Sequence, residues 1–274
     1  DGTVVLPTYN EAGLPEALSA RLRGAADSTS FVADIDYDAK GRRTRIAYGN
    51  GTTTTYDYDR QTFRLARIRT QRGGDALQDL SYTHDPIGNI TRIRDAAQPV
   101  VFFRNRVVGA GSDYTYDAIY RLIEATGREH LGQAGGRAGP PTPPSALDVF
   151  HTRLDQPGDG RAMGTYLERY TYDAAGNLAT LVHLGTQPVH PGWTQTYTYG
   201  ERSLLDPTAM GNRLSAATIG GNAEDLRYDG PAGAHGDITA MPHLAVMRWD
   251  HGDRLRATAR QRVNRGTPET TWYV

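Results

Sequence analysis

The sequence predicts an all-β protein made of antiparallel β-hairpin repeats, and three observations lead to this fold class. An Asx-x-x-Gly motif recurs along the chain, a Tyr-x-Tyr alternation precedes several copies of it, and Tyr outnumbers Phe 16 to 5. Tyrosine suits a sheet whose faces are partly exposed to solvent, because its ring packs while its hydroxyl reaches a polar partner. The 31 Gly and 15 Pro supply the turns that such a fold needs.

The Asx-x-x-Gly motif predicts tight turns. In a type I turn, Asp or Asn at the first position accepts a hydrogen bond from the backbone N–H two residues on, and glycine suits the fourth position. Pro86 follows Asp85 at the second position, where its fixed φ already fits the turn. The predicted turn residues are Asn10 with Gly13, Asp38 with Gly41, Asp85 with Gly88, Asp173 with Gly176, and the acids of less regular copies, Asp117 and Asp250.

Alternation around these turns predicts the strands. Tyr-x-Tyr pairs put two rings on one strand face, and an apolar residue five positions after the acid restarts a strand. We expect the rings to pack inside the sheet's layer. The pairs are Tyr56/Tyr58, Tyr114/Tyr116, Tyr170/Tyr172 and Tyr197/Tyr199.

Three further segments complete the expected organisation. Asn50-Gly51 is the favoured pair of a type I′ turn, which predicts a hairpin between residues 45–47 and 52–58. Residues 14–23 fit both a helical and an alternating pattern, and the preceding turn favours a strand. A Gly/Pro-rich stretch at about 127–164 predicts a loop excursion within one segment that spans residues 1–274.

Composition argues against several classes of function. Lys+Arg 30 against Asp+Glu 31 favours neither nucleic acid nor an anionic membrane, and no apolar run is long enough to insert into a bilayer. Zero Cys removes thiol nucleophiles and cysteine-zinc sites. No nucleotide-binding or nucleophile-elbow motif occurs, so we expect no enzyme and no cofactor.

Metal binding is also disfavoured. Each turn offers one carboxylate, whereas a calcium loop needs several oxygen ligands. The histidines His183, His190, His243 and His251 lack neighbours at metal-ligand spacing. The sequence therefore predicts no metal site.

Three stretches carry a family resemblance: YDAKGRRTRIAYGNGTTTTYDYD at 37–59, YTYDAAGNLATLVH at 170–183, and MPHLAVMRWDHGDRLRATARQRVNRGTPETTWYV at 241–274. They resemble the Rhs/YD-repeat region of the C components of bacterial Tc insecticidal toxins and related Rhs toxins. The resemblance implies a curved or spiralling antiparallel ribbon, part of a hollow shell that encloses a C-terminal toxin polypeptide. It also implies a Tc B-type protein as the partner that supplies the remaining shell, and a secreted, extracellular location.

Two expectations qualify this hypothesis. The family's autoproteolytic aspartates would fall beyond Val274, and the absence of an initiator Met predicts a fragment of a longer chain. The alternative hypothesis is a carbohydrate-binding β-repeat module on a secreted or cell-surface protein. Its motivation is 16 Tyr and 3 Trp, which could stack on sugars.

Overall fold

The structure, a computed structural model, describes residues 2–131, 159–185, 192–242, 244–260 and 270–273. It confirms the antiparallel all-β class. The chain divides into two compact units, the first with residues 1–101 and 107–115, the second with residues 102–106 and 116–274. The prediction of one repeat segment over 1–274 concerns the family organisation and stays a prediction.

Strands of the first unit alternate with the predicted turns. They are β1 (Val4–Tyr9), β2 (Pro15–Arg21), β3 (Thr29–Tyr37), β4 (Arg43–Tyr48), β5 (Thr52–Tyr58), β6 (Leu65–Arg72), β7 (Asp75–His84), β8 (Ile90–Asp95) and β11 (Gly111–Tyr116). The short hairpin strands β9 (Val101–Phe103) and β10 (Arg106–Val108) have residues in both units.

The second unit repeats the arrangement and adds one short helix, α1 (Gly230–His235), in the insertion that follows Asp229. Its strands are β12 (Leu122–His130), β13 (Met163–Tyr172), β14 (Leu178–Gly185), β15 (Trp193–Thr198), β16 (Ala216–Ile219), β17 (Asn222–Asp225), β18 (Leu244–Trp249), β19 (Leu255–Arg260) and β20 (Thr270–Trp272).

Strand order follows chain order. Fifteen strands form one sheet in the order β1 to β8, β11, then β12 to β17, while β9 with β10 and β18 to β20 form separate small sheets. Every pairing for which a register is given is antiparallel, as in the long β5–β6 ladder from Thr52↔Arg72 to Tyr58↔Leu65. Such sequential pairing is the product of successive hairpins.

Among the residues that the structure describes, fully buried side chains are few and mostly small. In the second unit Ala217 and Ile219 form a core cluster against which Trp193 and Tyr197 pack. In the first unit Ile46 is buried on β4, beside the buried Thr54 of β5. Most other sheet residues are only half-buried, so local hydrogen bonds contribute a large part of the order.

The return turn before β5 corrects one prediction. β4 and β5 pair as expected, but Asn50 and Gly51 do not form a type I′ turn. Gly51 donates to the Tyr48 carbonyl at 3.0 Å and has φ +80°, whereas Asn50 is not among the residues with positive φ. A type I′ turn needs positive φ at both central residues, so this is a three-residue loop closed by a left-handed glycine. Asn50 instead accepts from the Thr52 N–H and hydroxyl, at 3.0 and 2.7 Å.

The structure also tests the predictions for residues 14–23 and for the stretch at about 127–164. Residues 14–23 contain β2, which confirms the strand, and a 3₁₀ turn follows at Leu22–Gly24. The loop predicted at about 127–164 starts later than predicted, because β12 extends to His130, whereas the start of β13 at Met163 lies within one residue of its predicted end. Gly127 is a packing glycine: a Cβ there would lie 2.5 Å from the Tyr166 hydroxyl oxygen. Residues 132–158 lie outside the described ranges.

Candidate functional site

The repeat turns share one hydrogen-bond pattern, of which Asp38 is an example. Its carboxylate accepts from the backbone N–H groups of Lys40 and Arg42 at 2.9 and 3.0 Å. Gly41, at φ +74°, donates to the Asp38 carbonyl, and Asp38 donates to the Arg42 carbonyl, both at 2.9 Å. Each turn is thus a type I turn closed by a left-handed fourth residue. The structure places Asn10, Asp85 (with Pro86), Asp117, Asp173 and Asp250 in the same position.

Irregular copies keep the backbone path without glycine. Tyr120 has φ +68° and Asp253 has φ +56° at the fourth position of their turns. The Asp59 turn is one residue longer and is closed by Phe63 at φ +59°, whose N–H donates to the Asp59 carbonyl at 2.9 Å. The motif therefore fixes the geometry through the Asx side chain, and glycine only lowers its conformational cost.

In five places a tyrosine at or just beyond the end of a strand links neighbouring repeats. Its hydroxyl donates to a backbone carbonyl at or just before the start of a strand in the preceding repeat, usually five positions after that repeat's own acid or amide. These bonds run from Tyr37 to Pro15 (2.6 Å), Tyr58 to Arg43 (2.9 Å), Tyr172 to Leu122 (2.8 Å), Tyr199 to Leu178 (2.9 Å) and Tyr228 to Leu214 (2.8 Å). At Trp249 the indole N–H takes this role and donates to the Ile238 carbonyl at 2.8 Å.

An arginine covers the same tyrosine ring in several repeats. The guanidinium carbon of Arg42 lies 4.1 Å from the ring centroid of Tyr58, and that of Arg121 lies 4.6 Å from Tyr172. Both arginines also pair with the acid of their own turn, Asp38 at 2.6 Å and Asp117 at 2.7 Å. Each arginine therefore joins a turn to the ring of the next repeat, with a cation–π contact of about 0.5–1 kcal/mol.

Successive turns also contact each other directly. We call the turns, the tyrosines that precede them and the arginines or asparagines that follow them the repeat seam. Arg42 donates to the Phe63 carbonyl at 2.6 Å. Arg64 donates to the carbonyls of Asp85 and Pro86 at 2.6 and 2.9 Å. Asn177 donates to the Asn212 side chain at 3.1 Å.

The acids of the seam are held in their charged form. The Arg42 side chain, through its hydrogen bond, is the main cause that lowers the pKa of Asp38. At Asp250 the backbone N–H of Arg254 contributes most, and the pKa falls to about 2. Because the pKa is lower in the folded state, this contribution is present above the usual value of 3.8 and is lost as pH falls toward 2.

A second polar feature covers one face of the first unit. Arginines on β4 and β6 lie beside acidic partners: Arg45 contacts Asp34 and Asp36 at 3.0 and 3.2 Å, and Arg67 contacts Asp79 at 2.6 Å. Farther along, Asp113 pairs with Arg92 and Arg94. These arginines do not form a separate basic face, because their charges are matched across strands.

Within the described ranges, no three or more His, Asp or Glu side chains are grouped to hold a metal ion. His251 lies exposed in the Asp250 turn, and His190 and His243 lie outside the described residues. In the part of the chain that is described, no helix has the length and apolar character to cross a membrane.

Tyr120→Gly should stabilise the protein. Tyr120 is exposed and holds a left-handed backbone that glycine adopts without strain, so we expect a gain of about 1 kcal/mol in the free energy of unfolding. Urea denaturation of the whole chain measures it. Gly176→Ala, which puts a Cβ at φ +90° in the equivalent position, is the reciprocal variant and should lose a similar amount. A destabilised Tyr120→Gly protein would contradict this account of the turn.

Comparison with known sequences finds relatives of the chain among toxin subunits. No protein-family model matches it. It is 35% identical over 188 residues to toxin subunit YenC1 of Yersinia entomophaga, and 34% identical over 201 residues to toxin subunit YenC2 of the same organism. These matches cover 66% and 71% of the chain but only 18% and 20% of the two relatives.

Solved structures agree with this placement. A crystal structure of TcdB2-TccC3-Cdc42 matches 99% of the chain and 12% of its own chain, with a TM-score of 0.64 and 27% identity. A Photorhabdus luminescens Tc holotoxin pore structure with the mutation TccC3-D651A matches with a TM-score of 0.63 and 26% identity, over 99% of this chain and 12% of that one. By sequence and by fold, the chain is a homologue of the C components of bacterial Tc toxins, and it spans about a fifth of the length of the two Yersinia relatives.

Proposed function

We propose that this segment is part of the wall of a Tc toxin shell, and that the shell encloses a toxin polypeptide and shields it until delivery. The observation that carries the proposal is the repeat seam. Side chains of one repeat hold the backbone of the preceding one, as where Tyr172 donates to Leu122 and Arg121 covers the Tyr172 ring. A wall must resist local opening, and contacts between repeats raise the free energy of such opening.

In this role the segment acts sterically and needs no catalytic residue. An enclosed toxin polypeptide cannot reach partners or proteases, so it remains inactive without an inhibitor at its active site. By analogy with the TcdB2-TccC3 structures, the partners are the rest of the shell, including a B-type protein, and the enclosed C-terminal polypeptide. The complex would work outside the producing cell, in keeping with its toxin-subunit relatives.

Limited proteolysis tests this function. The full-length toxin subunit that contains this segment is produced with its B-type partner and treated with a protease that cleaves unfolded chains. Enclosure predicts that the downstream polypeptide survives digestion in the wild-type complex. Variants that remove seam tyrosines should expose it, whereas Tyr197→Phe on the same sheet should leave it protected.

Digestion of the downstream polypeptide in the intact wild-type complex would overturn the proposal. The sugar-binding alternative makes a different prediction, namely saturable binding of the isolated chain to a defined glycan on an array. Such binding without protection of any polypeptide would favour the module instead.

A further inference from the structure

A buried charged cluster in the second unit is not explained by the repeat seam. His183 on β14 is 9% exposed and lies between two carboxylates. Its Nε2 lies 3.1 Å from Glu129 on β12, and its Nδ1 lies 3.1 Å from Glu168 on β13. The side chains of three strands therefore meet at one imidazole ring.

This geometry determines the protonation state of the ring. A neutral imidazole has one N–H donor and one acceptor, so one of its nitrogens would face a carboxylate oxygen lone pair to lone pair. Only the imidazolium ion donates from both nitrogens. Burial by itself lowers the pKa of His183, but the two glutamates outweigh it and raise the pKa to about 9.

The groups around the cluster leave the glutamates dependent on that proton. Tyr170 donates to the second oxygen of Glu168 at 2.6 Å, whereas the second oxygen of Glu129 is buried and has no hydrogen-bond partner within the described ranges. Tyr197 also faces Glu168. Tyr166 of β13 is a further titratable side chain among the described residues beside the cluster.

Two aromatic rings enclose the imidazole. Trp193 of β15 stacks on it with ring centroids 5.1 Å apart and planes 7° apart. Tyr166 of β13 lies on it at 5.2 Å, tilted by 30°. The His183 side chain is 11% exposed and those of Glu129 and Glu168 are 25% and 20% exposed, so the loss of the positive charge would leave two carboxylates close together in a site that water reaches only in part.

We propose that His183, Glu129 and Glu168 form a proton-operated clamp, which holds β12, β13 and β14 together while the imidazole is charged and releases them when an alkaline medium removes its proton. The inference concerns the second unit alone and does not depend on the proposed shell function. Since the pKa is higher in the folded state than the ordinary 6.5, the stabilisation is complete below pH 6.5 and is lost as pH rises through about 9.

Tryptophan fluorescence provides a selective measurement, because Trp193, Trp249 and Trp272 all belong to the second unit. For the whole chain we expect the urea midpoint of the fluorescence transition to fall between neutral pH and pH 10. Over the same interval, hydrogen exchange of β12–β14 should speed up by roughly tenfold or more beyond the intrinsic rate. Strands β5–β7 of the first unit serve as the internal reference and should not share this change.

Glu168→Gln is the decisive variant, because it keeps the shape of the cluster and removes one charge. The pKa of His183, followed by NMR, should move down from about 9 toward 6.5, and the fall of the urea midpoint should begin at lower pH. His235→Gln is the matched control, since His235 pairs with Asp253 at 2.8 Å on the surface and its loss should not alter the profile.

Three outcomes would overturn the proposal: titration of wild-type His183 near 6.5, an unchanged urea midpoint up to pH 10, or equal loosening of β5–β7. If Glu168→Gln fails to fold, the NMR titration and exchange profile of the wild-type chain still decide the question.

Discussion

The combined substitution of Tyr172, Tyr199 and Tyr228 by phenylalanine should destabilise the second unit by about 3 kcal/mol. Each change removes only the hydroxyl that donates to the carbonyl of Leu122, Leu178 or Leu214. A bond of this kind contributes about 1 kcal/mol, and the three sites lie in different repeats, so their effects should add. Urea denaturation followed by tryptophan fluorescence measures the loss.

Tyr197→Phe is the control for this prediction. Tyr197 lies on β15, two residues before Tyr199, which directly follows that strand, and its hydroxyl has no hydrogen bond to any of the residues that the structure describes. We expect a change of less than about 0.5 kcal/mol. If Tyr197→Phe costs as much as Tyr199→Phe, the hydroxyl bonds between repeats do not provide the stability that we assign to them.

The turns could be predicted from sequence because their chemistry is local. The carboxylate of Asp173 binds backbone N–H groups two and four residues ahead, so the whole interaction lies inside five consecutive residues. The strand restarts directly after the turn for the same reason. A pattern of one acid and one glycine is therefore enough to indicate both the turn and the hairpin.

The seam could not be predicted because its partners are distant in the chain. Tyr172 and Leu122 are 50 residues apart, with an insertion between their strands. In the sequence the two rings of a Tyr-x-Tyr pair are equivalent, yet in the pairs that end at Tyr58, Tyr172 and Tyr199 it is the second ring whose hydroxyl reaches the preceding repeat. The Arg or Asn after each turn was a visible signal, as in YDAKGR and YDAAGN, but its target depends on the register.

Two glycines show the same limit of prediction from the local sequence. Asn50-Gly51 is a strong local signal for a type I′ turn, but the paired register of β4 and β5 leaves a three-residue loop. Gly127 occurs in a stretch rich in Gly and Pro, yet it lies in β12 because it pairs there with Tyr166 of β13, whose side chain also fills the space beside it. In both cases the neighbouring strand, and not the local sequence, decides the backbone conformation.

Gly49→Ala should be among the most damaging single substitutions in the first unit, with a loss of about 3 kcal/mol. A Cβ at Gly49 would overlap the carbonyl oxygen of Ser30 on β3, and that oxygen belongs to the backbone and cannot turn away. The Gly49 N–H also donates to the Phe31 carbonyl at 3.0 Å, so moving the loop outward to make room would break this bond.

Gly74→Ala is the matched change at the tip of another hairpin, between β6 and β7. Its Cβ would meet nothing within 4 Å, and Gly74 is not among the glycines with positive φ, so the free energy of unfolding should change by less than about 0.5 kcal/mol. Hydrogen exchange of β3–β5 in the two variants separates the effects, because only Gly49→Ala should loosen these strands. Equal behaviour of the two variants would mean that the β4–β5 loop does not rest on β3, and the close packing of neighbouring hairpins on which the proposed wall depends would lose its support at this position.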